Sequence, residues 1–139
     1  MTRFVLDASV TLAWFIDGTV PELAIGIRQS LESGSRAVVP PLWHLEVANG
    51  FVIAERRRDL TASFVDRCLH DLEGLIAAAI DESVTVISLH QAHSLARSFR
   101  LSAYDATYLE TARREHLPLA TLDRALGQAA VKAGVALVS

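Results

Sequence analysis

Cysteine is almost missing from this chain: Cys68 stands alone among 139 residues. An internal disulfide framework and a cysteine-built zinc site are therefore excluded. Set in an amphipathic stretch, Cys68 reads as a small buried apolar side chain. Lysine is equally scarce, with Lys132 the only one among 13 basic residues. Long apolar runs are lacking too. Although 51% of residues are apolar and mean hydropathy is +0.31, no stretch approaches the roughly 18 to 20 residues that span a bilayer. The N-terminus enters a strand-like run with no basic segment, apolar segment and cleavage site, so a cytoplasmic protein is expected. Repeats, low-complexity tracts and linkers are absent, which leaves one domain over residues 1–139. That length buries about two thirds of the unfolded surface.

The formal charge of -3 argues against broad electrostatic attraction to nucleic acid. The arginines nonetheless cluster, as Arg56-Arg57-Arg58 and Arg113-Arg114 with Arg97 and Arg100 between. Cations at helix C-termini complement the dipole; phosphate contact is the other reading. The high apolar content is consistent with a surface covered by a partner.

Apolar runs alternate with helical periodicity. Strand-like segments fall at Arg3 to Asp7, Ala37 to Val39, Leu117 to Leu122 and Val135 to Val138. Helices are expected over Ser9 to Phe15, from Pro21 to Gly34, from Pro40-Pro41 to Arg58, from Thr61 to about Gly74, from Leu89, from Ser102 to His116, and after Asp123. Asp17-Gly18 reads as a turn, while Leu75 to Ile80 suits either helix or strand. This alternation predicts an α/β fold with a mostly parallel sheet covered by helices and joined by right-handed crossovers. In such sheets a site forms beyond the carboxyl ends of the strands.

Four acids stand where that edge is expected. Asp7 and Asp123 follow apolar strand-like runs, Glu46 lies early in the helix after the second strand, and Asp105 sits three residues into the helix preceding the fourth strand. Each has a structural alternative. Asp7 and Asp123 can cap helices, Ser102-Ala103-Tyr104-Asp105 resembles a capping box, and Glu46 can be an exposed helical residue. Brought together, the acids repel unless a cation sits among them, and carboxylate oxygens suit Mg²⁺ or Mn²⁺. A metal held by carboxylates with water on its open positions is a common device for hydrolysing phosphodiesters.

The sequence resembles the PIN-domain ribonucleases, specifically the VapC-type toxins of type II toxin–antitoxin pairs. The resemblance covers essentially the whole chain. It rests on Val5-Leu6-Asp7-Ala8-Ser9, Leu45-Glu46-Val47-Ala48-Asn49, Ser102-Ala103-Tyr104-Asp105-Ala106-Thr107-Tyr108-Leu109-Glu110 and Leu119-Ala120-Thr121-Leu122-Asp123. It implies a three-layer fold whose parallel sheet is ordered 3-2-1-4-5, and an Mg²⁺- or Mn²⁺-dependent endoribonuclease acting as a toxin. By the same resemblance Asp7, Glu46, Asp105 and Asp123 are the catalytic and metal-binding acids, Ser9 and Thr121 support them, the chain forms a homodimer, and an antitoxin tail lies along a groove. Trp14, Phe15 and Trp43, near Asp7 and Glu46 in sequence, are candidates for an apolar groove or for the core.

Other classes fit less well. An aspartyl-nucleophile phosphatase requires a second Asp at position 9, which is Ser9. A receiver domain requires adjacent acids near the first strand, and a dinucleotide-binding domain a glycine-rich first turn where Asp7-Ala8-Ser9-Val10 stands. A catalytically silent PIN-fold binding module, or a PIN nuclease in RNA processing, remains the alternative. No histidine has an assigned role; His44 falls about 160° around the helix from Glu46. Transfer, ribosomal and messenger RNA are all compatible substrates.

Overall fold

The computed structural model describes residues 2–16 and 18–139; the turn expected at Asp17-Gly18 lies partly outside the described residues. In chain order the elements are β1 (Arg3–Leu6), α1 (Ala8–Ala13), α2 (Glu22–Glu32), β2 (Arg36–Val39), α3 (Leu42–Arg56), α4 (Ala62–Ala79), β3 (Ile80–Glu82), α5 (Leu89–Phe99), α6 (Ala103–Glu115), β4 (Leu119–Ala120) and α7 (Arg124–Lys132). The sheet is parallel and ordered β3-β2-β1-β4. Val5 and Leu6, successive residues of the central strand, are both fully buried. Successive strand side chains face opposite sides, so both faces of the sheet are covered.

Local chemistry sets most boundaries. Thr61, Ser88, Ser102 and Asp123 each accept a backbone N–H at the start of α4, α5, α6 and α7, satisfying donors that a helix N-terminus leaves orphaned. Ser88 and Gln91 complete a reciprocal capping box. Asp7 occupies the N-cap position of α1 but makes no side-chain capping bond, so its carboxylate is committed elsewhere.

Two expectations need correction, and the open alternative for the aromatics is decided in favour of the core. The fifth strand of the order 3-2-1-4-5 is reduced to a single parallel bridge between Leu119 and Leu137, held by Leu119 N–H on the Ala136 carbonyl and Val138 N–H on the Leu119 carbonyl. Helix α4 does not stop at Gly74 but continues to Ala79, and β3 forms only from Ile80. The aromatics lie mainly inward: Trp43 is fully buried, and Trp14 and Phe15 pack against the core, with the Arg28 guanidinium 5.4 Å from the Trp14 ring centroid.

Candidate active site

Three parallel strands end at one edge, and the acids gather there. Asp7 follows β1, and its N–H extends the ladder by donating to the Ala120 carbonyl at 3.0 Å. Its side chain is only 5% exposed. Two hydroxyls converge on Asp7 Oδ2, Ser9 Oγ at 2.6 Å and Thr121 Oγ1 at 2.7 Å. Each of these hydroxyls also accepts a backbone N–H from the loop after β4: Leu122 donates to Ser9 and Asp123 to Thr121. The loop carrying Asp123 is thereby tied to the carboxylate that ends β1.

Burial pushes the Asp7 carboxyl above its ordinary range, the two hydroxyls pull it back, and the nearby Asp123 charge raises it again. Asp105, in the first turn of α6, is raised by burial and then by the charges of Asp123 and Asp7, against a lowering hydrogen bond with Ser102. Glu46, half-buried on α3, is raised by burial and by Asp7 and Asp105. These mutual influences bring Asp7, Glu46, Asp105 and Asp123 into one electrostatic neighbourhood. Burial is the largest cause in all three shifted acids, ahead of the like-charge crowding that the sequence suggested.

Two of the four carry additional commitments. Glu46 Oε1 accepts the Tyr108 hydroxyl at 2.5 Å, and Asp123 Oδ1 caps α7 by accepting from Leu126 N–H at 2.9 Å. Tyr108 is fully buried, and burial together with the Glu46 charge holds its hydroxyl protonated, its pKa well above the ordinary value. Sequence reasoning left Tyr108 without a role. The available signal was its spacing of three from Asp105, which puts both on one side of α6. His44 faces Glu82 at 3.4 Å.

Among the described residues, no three acidic, histidine or cysteine side chains converge into a preformed metal cage. The donor set is nevertheless all hard oxygen. Mg²⁺ commonly takes one or two carboxylates and keeps several waters, so such a cation needs no more carboxylates than this edge offers; of the four, Glu46 is bonded to Tyr108 and Asp123 caps α7. Beside the site, Ser9, Leu12, Ile16, Gly50, Ile53 and Leu122 line an apolar groove of about 590 Å³. A second groove of about 750 Å³ leads away from Thr121 and Asp123 along α7.

Residues 4–132 match the PIN domain family, and the chain belongs to it. PIN domains are generally nucleases, and those nucleases typically use divalent metals. The fold is similar to the crystal structure of PAE2754 from Pyrobaculum aerophilum, with a TM-score of 0.67 and 21% identity over 92% of this chain and 84% of that one. It is also similar to FitAcB from Neisseria gonorrhoeae, with a TM-score of 0.63 and 19% identity over 100% of this chain and 97% of that one. No curated protein matches the sequence significantly. Among the described residues, no helix is long and apolar enough to cross a membrane.

Proposed function

We propose that this chain is an Mg²⁺- or Mn²⁺-dependent endoribonuclease that acts as the toxin of a toxin–antitoxin pair. The observation that carries the reading is Asp7: a carboxylate 5% exposed at the end of the central strand, oriented by two hydroxyls and surrounded by three further acids. A fixed, desolvated acid without a cationic partner among the described residues is costly to the fold. Functional sites are where such costs are retained.

Asp7 and Asp105 are the metal-binding pair in this reading. Ser9 and Thr121 hold Asp7 in one orientation. Tyr108 holds Glu46 facing the same space, where Glu46 can orient a water or take its proton. Asp123 adds negative charge while anchoring the loop. When bound, the cation supplies Lewis acidity that lowers the pKa of an attacking water and offsets charge on the phosphate. Among the described residues no serine or cysteine is hydrogen-bonded to a histidine: Cys68 is buried, His44 is directed to Glu82, and His93 is paired with Arg97.

The apolar groove beside Ser9 fits the tail of an antitoxin. Leu12, Ile16 and Ile53 supply its apolar wall, in place of the three aromatics. A homodimer is supported by large apolar side chains left in solvent: Val84, Val86 and Leu89 are 94%, 80% and 89% exposed, and on other elements Leu45 is 74% and Tyr104 67% exposed.

Purified protein incubated with looped and single-stranded RNA should cleave with Mg²⁺ or Mn²⁺ and stop with EDTA. Asp7→Asn and Asp105→Asn should each reduce cleavage by at least 10²-fold, the scale of losing one group that stabilises charge in the transition state. Cleavage that survives EDTA or both substitutions overturns the mechanism. Expression of this chain alone should slow growth, and co-expression with an antitoxin encoded beside it should restore it. Equal growth in both cases removes the toxin role and leaves the nuclease reading standing.

A further inference from the structure

We propose that the exposed face of α7 is the track along which a single RNA strand leaves the acidic site, with Arg124 and Lys132 holding its phosphates. The proposal rests on the nuclease reading and adds the surface that holds the substrate. The groove starts at Thr121 and Asp123 and continues past Arg124, Gln128, Val131 and Lys132. It therefore opens at Asp123 and at Thr121, whose hydroxyl is bonded to Asp7.

The sequence of α7 makes the track. Leu126, Gly127, Ala129 and Ala130 are buried, which turns the opposite face of the helix outward. Arg124, Gln128 and Lys132 are all exposed, and their four-residue spacing sets them in one row with steps of about 6 Å. Successive phosphates of an extended strand are separated by a comparable distance, so the row can follow a backbone. Val131 is 63% exposed and Leu122 37%, which gives the bases an apolar surface beside the charged row.

Electrostatics favours the same assignment. The chain is net negative, and the acidic edge repels a phosphodiester until cations offset it. Arg28, Arg36 and Arg114 are occupied in ion pairs with acids. Among the described residues the other arginines and Lys132 form none, and of these Arg124 and Lys132 are the ones that line the groove opening at Thr121 and Asp123. In the apolar groove on the other side of Leu122, the one cation, Arg57, shares the lining with Asp59. One row of two cations suits one strand; a duplex presents two backbones.

The test separates binding from cleavage. Asp7→Asn protein is titrated into a fluorescein-labelled single-stranded oligoribonucleotide of mixed sequence, and anisotropy is followed across a salt series in Mg²⁺ buffer. Adding Arg124→Gln and Lys132→Gln should weaken binding. It should also reduce the slope of log affinity against log salt by about 1.4, the value for two lost contacts to a single strand. Adding Arg56→Gln and Arg113→Gln instead, with the same change in net charge, should leave both quantities unaltered. All four side chains are exposed, and matched melting curves verify that each variant folds.

An unchanged affinity and slope in the Arg124/Lys132 variant overturns the proposal, as does absence of binding by the Asp7→Asn parent. Loss of a co-purifying protein partner with RNA binding intact also overturns it, by making the groove a protein surface. Binding along this row without cleavage by the wild type keeps the track and removes the nuclease. Wild-type cleavage with an unchanged salt slope does the reverse.

Discussion

At Asp7 burial and charge conflict directly, and the conflict has a measurable pH signature. Burial, ahead of the Asp123 charge, raises its carboxyl above the ordinary range, and Glu46 and Asp105 are raised in the same direction. A raised folded-state pKa means the native protein binds the proton more tightly than the unfolded chain does. The resulting stabilisation is complete below the unfolded value, near 4, and is lost as pH rises through the folded value. In EDTA, Asp7→Asn should therefore melt higher than wild type at neutral pH, with the difference shrinking on acidification toward 4. No helix cap is sacrificed, because the Asp7 side chain caps nothing. Saturating Mg²⁺ should raise the melting temperature of wild type more than that of the variant. A variant that melts lower in EDTA at neutral pH would show that the carboxylate is needed by the fold itself. The placement of the acids was legible because Asp7 and Asp123 follow apolar runs and Asp105 follows a serine cap. The Tyr108–Glu46 bond was not, since it joins positions 62 residues apart and local spacing carries no information about such a pairing.

Helices were easier to read than strands, and the errors have identifiable causes. Every helix beginning with Thr61, Ser88, Ser102 or Asp123 carries its start signal in the cap residue. Gly74 looked like the end of a helix but lies inside α4, because Leu72, Leu75 and Ala79 continue the buried stripe past it; burial of that face outweighs one poor helix former. Strand β3 is three residues, Ile80-Asp81-Glu82, too short to show alternation. Its register is supported by Arg36, which donates to both Asp81 oxygens at 3.0 and 2.7 Å. Val84 and Val86 have strand-like chemistry but stand 94% and 80% exposed outside any strand. The Gly74 error yields a prediction. A Cβ there meets nothing within 4 Å, and the position is exposed. Gly74→Ala should stabilise the protein by about 0.5–1 kcal/mol, read as a shift of the urea midpoint with unchanged slope. A neutral or destabilising result would mean that the surface of α4 is not free in solution.

Across the molecule, charge and apolar surface divide the labour around one sheet edge. The acids occupy the edge, the apolar groove by Ser9 and the basic face of α7 lead away from it on either side of Leu122, and α5 stands apart from both. Helix α5 has no buried residue although it packs beside α6. Its first residue, Leu89, is 89% exposed, close in sequence to the exposed Val84 and Val86. An amphipathic helix normally buries its apolar stripe, and several large apolar side chains left in water are a common mark of an interface. The proposed homodimer places these residues in the contact between copies. Sedimentation equilibrium at micromolar concentration should then give twice the chain mass for wild type. Val86→Asp with Leu89→Asp should give the chain mass alone, because a carboxylate buried without a partner opposes association. The variant's far-ultraviolet dichroism should be unchanged, since neither side chain contributes to the core. Its unfolding should also lose the dependence on protein concentration that a dimer displays. A wild type that sediments as a monomer removes the homodimer. A double variant that stays dimeric moves the contact to another face, with Leu45 and Tyr104 the next apolar residues to replace.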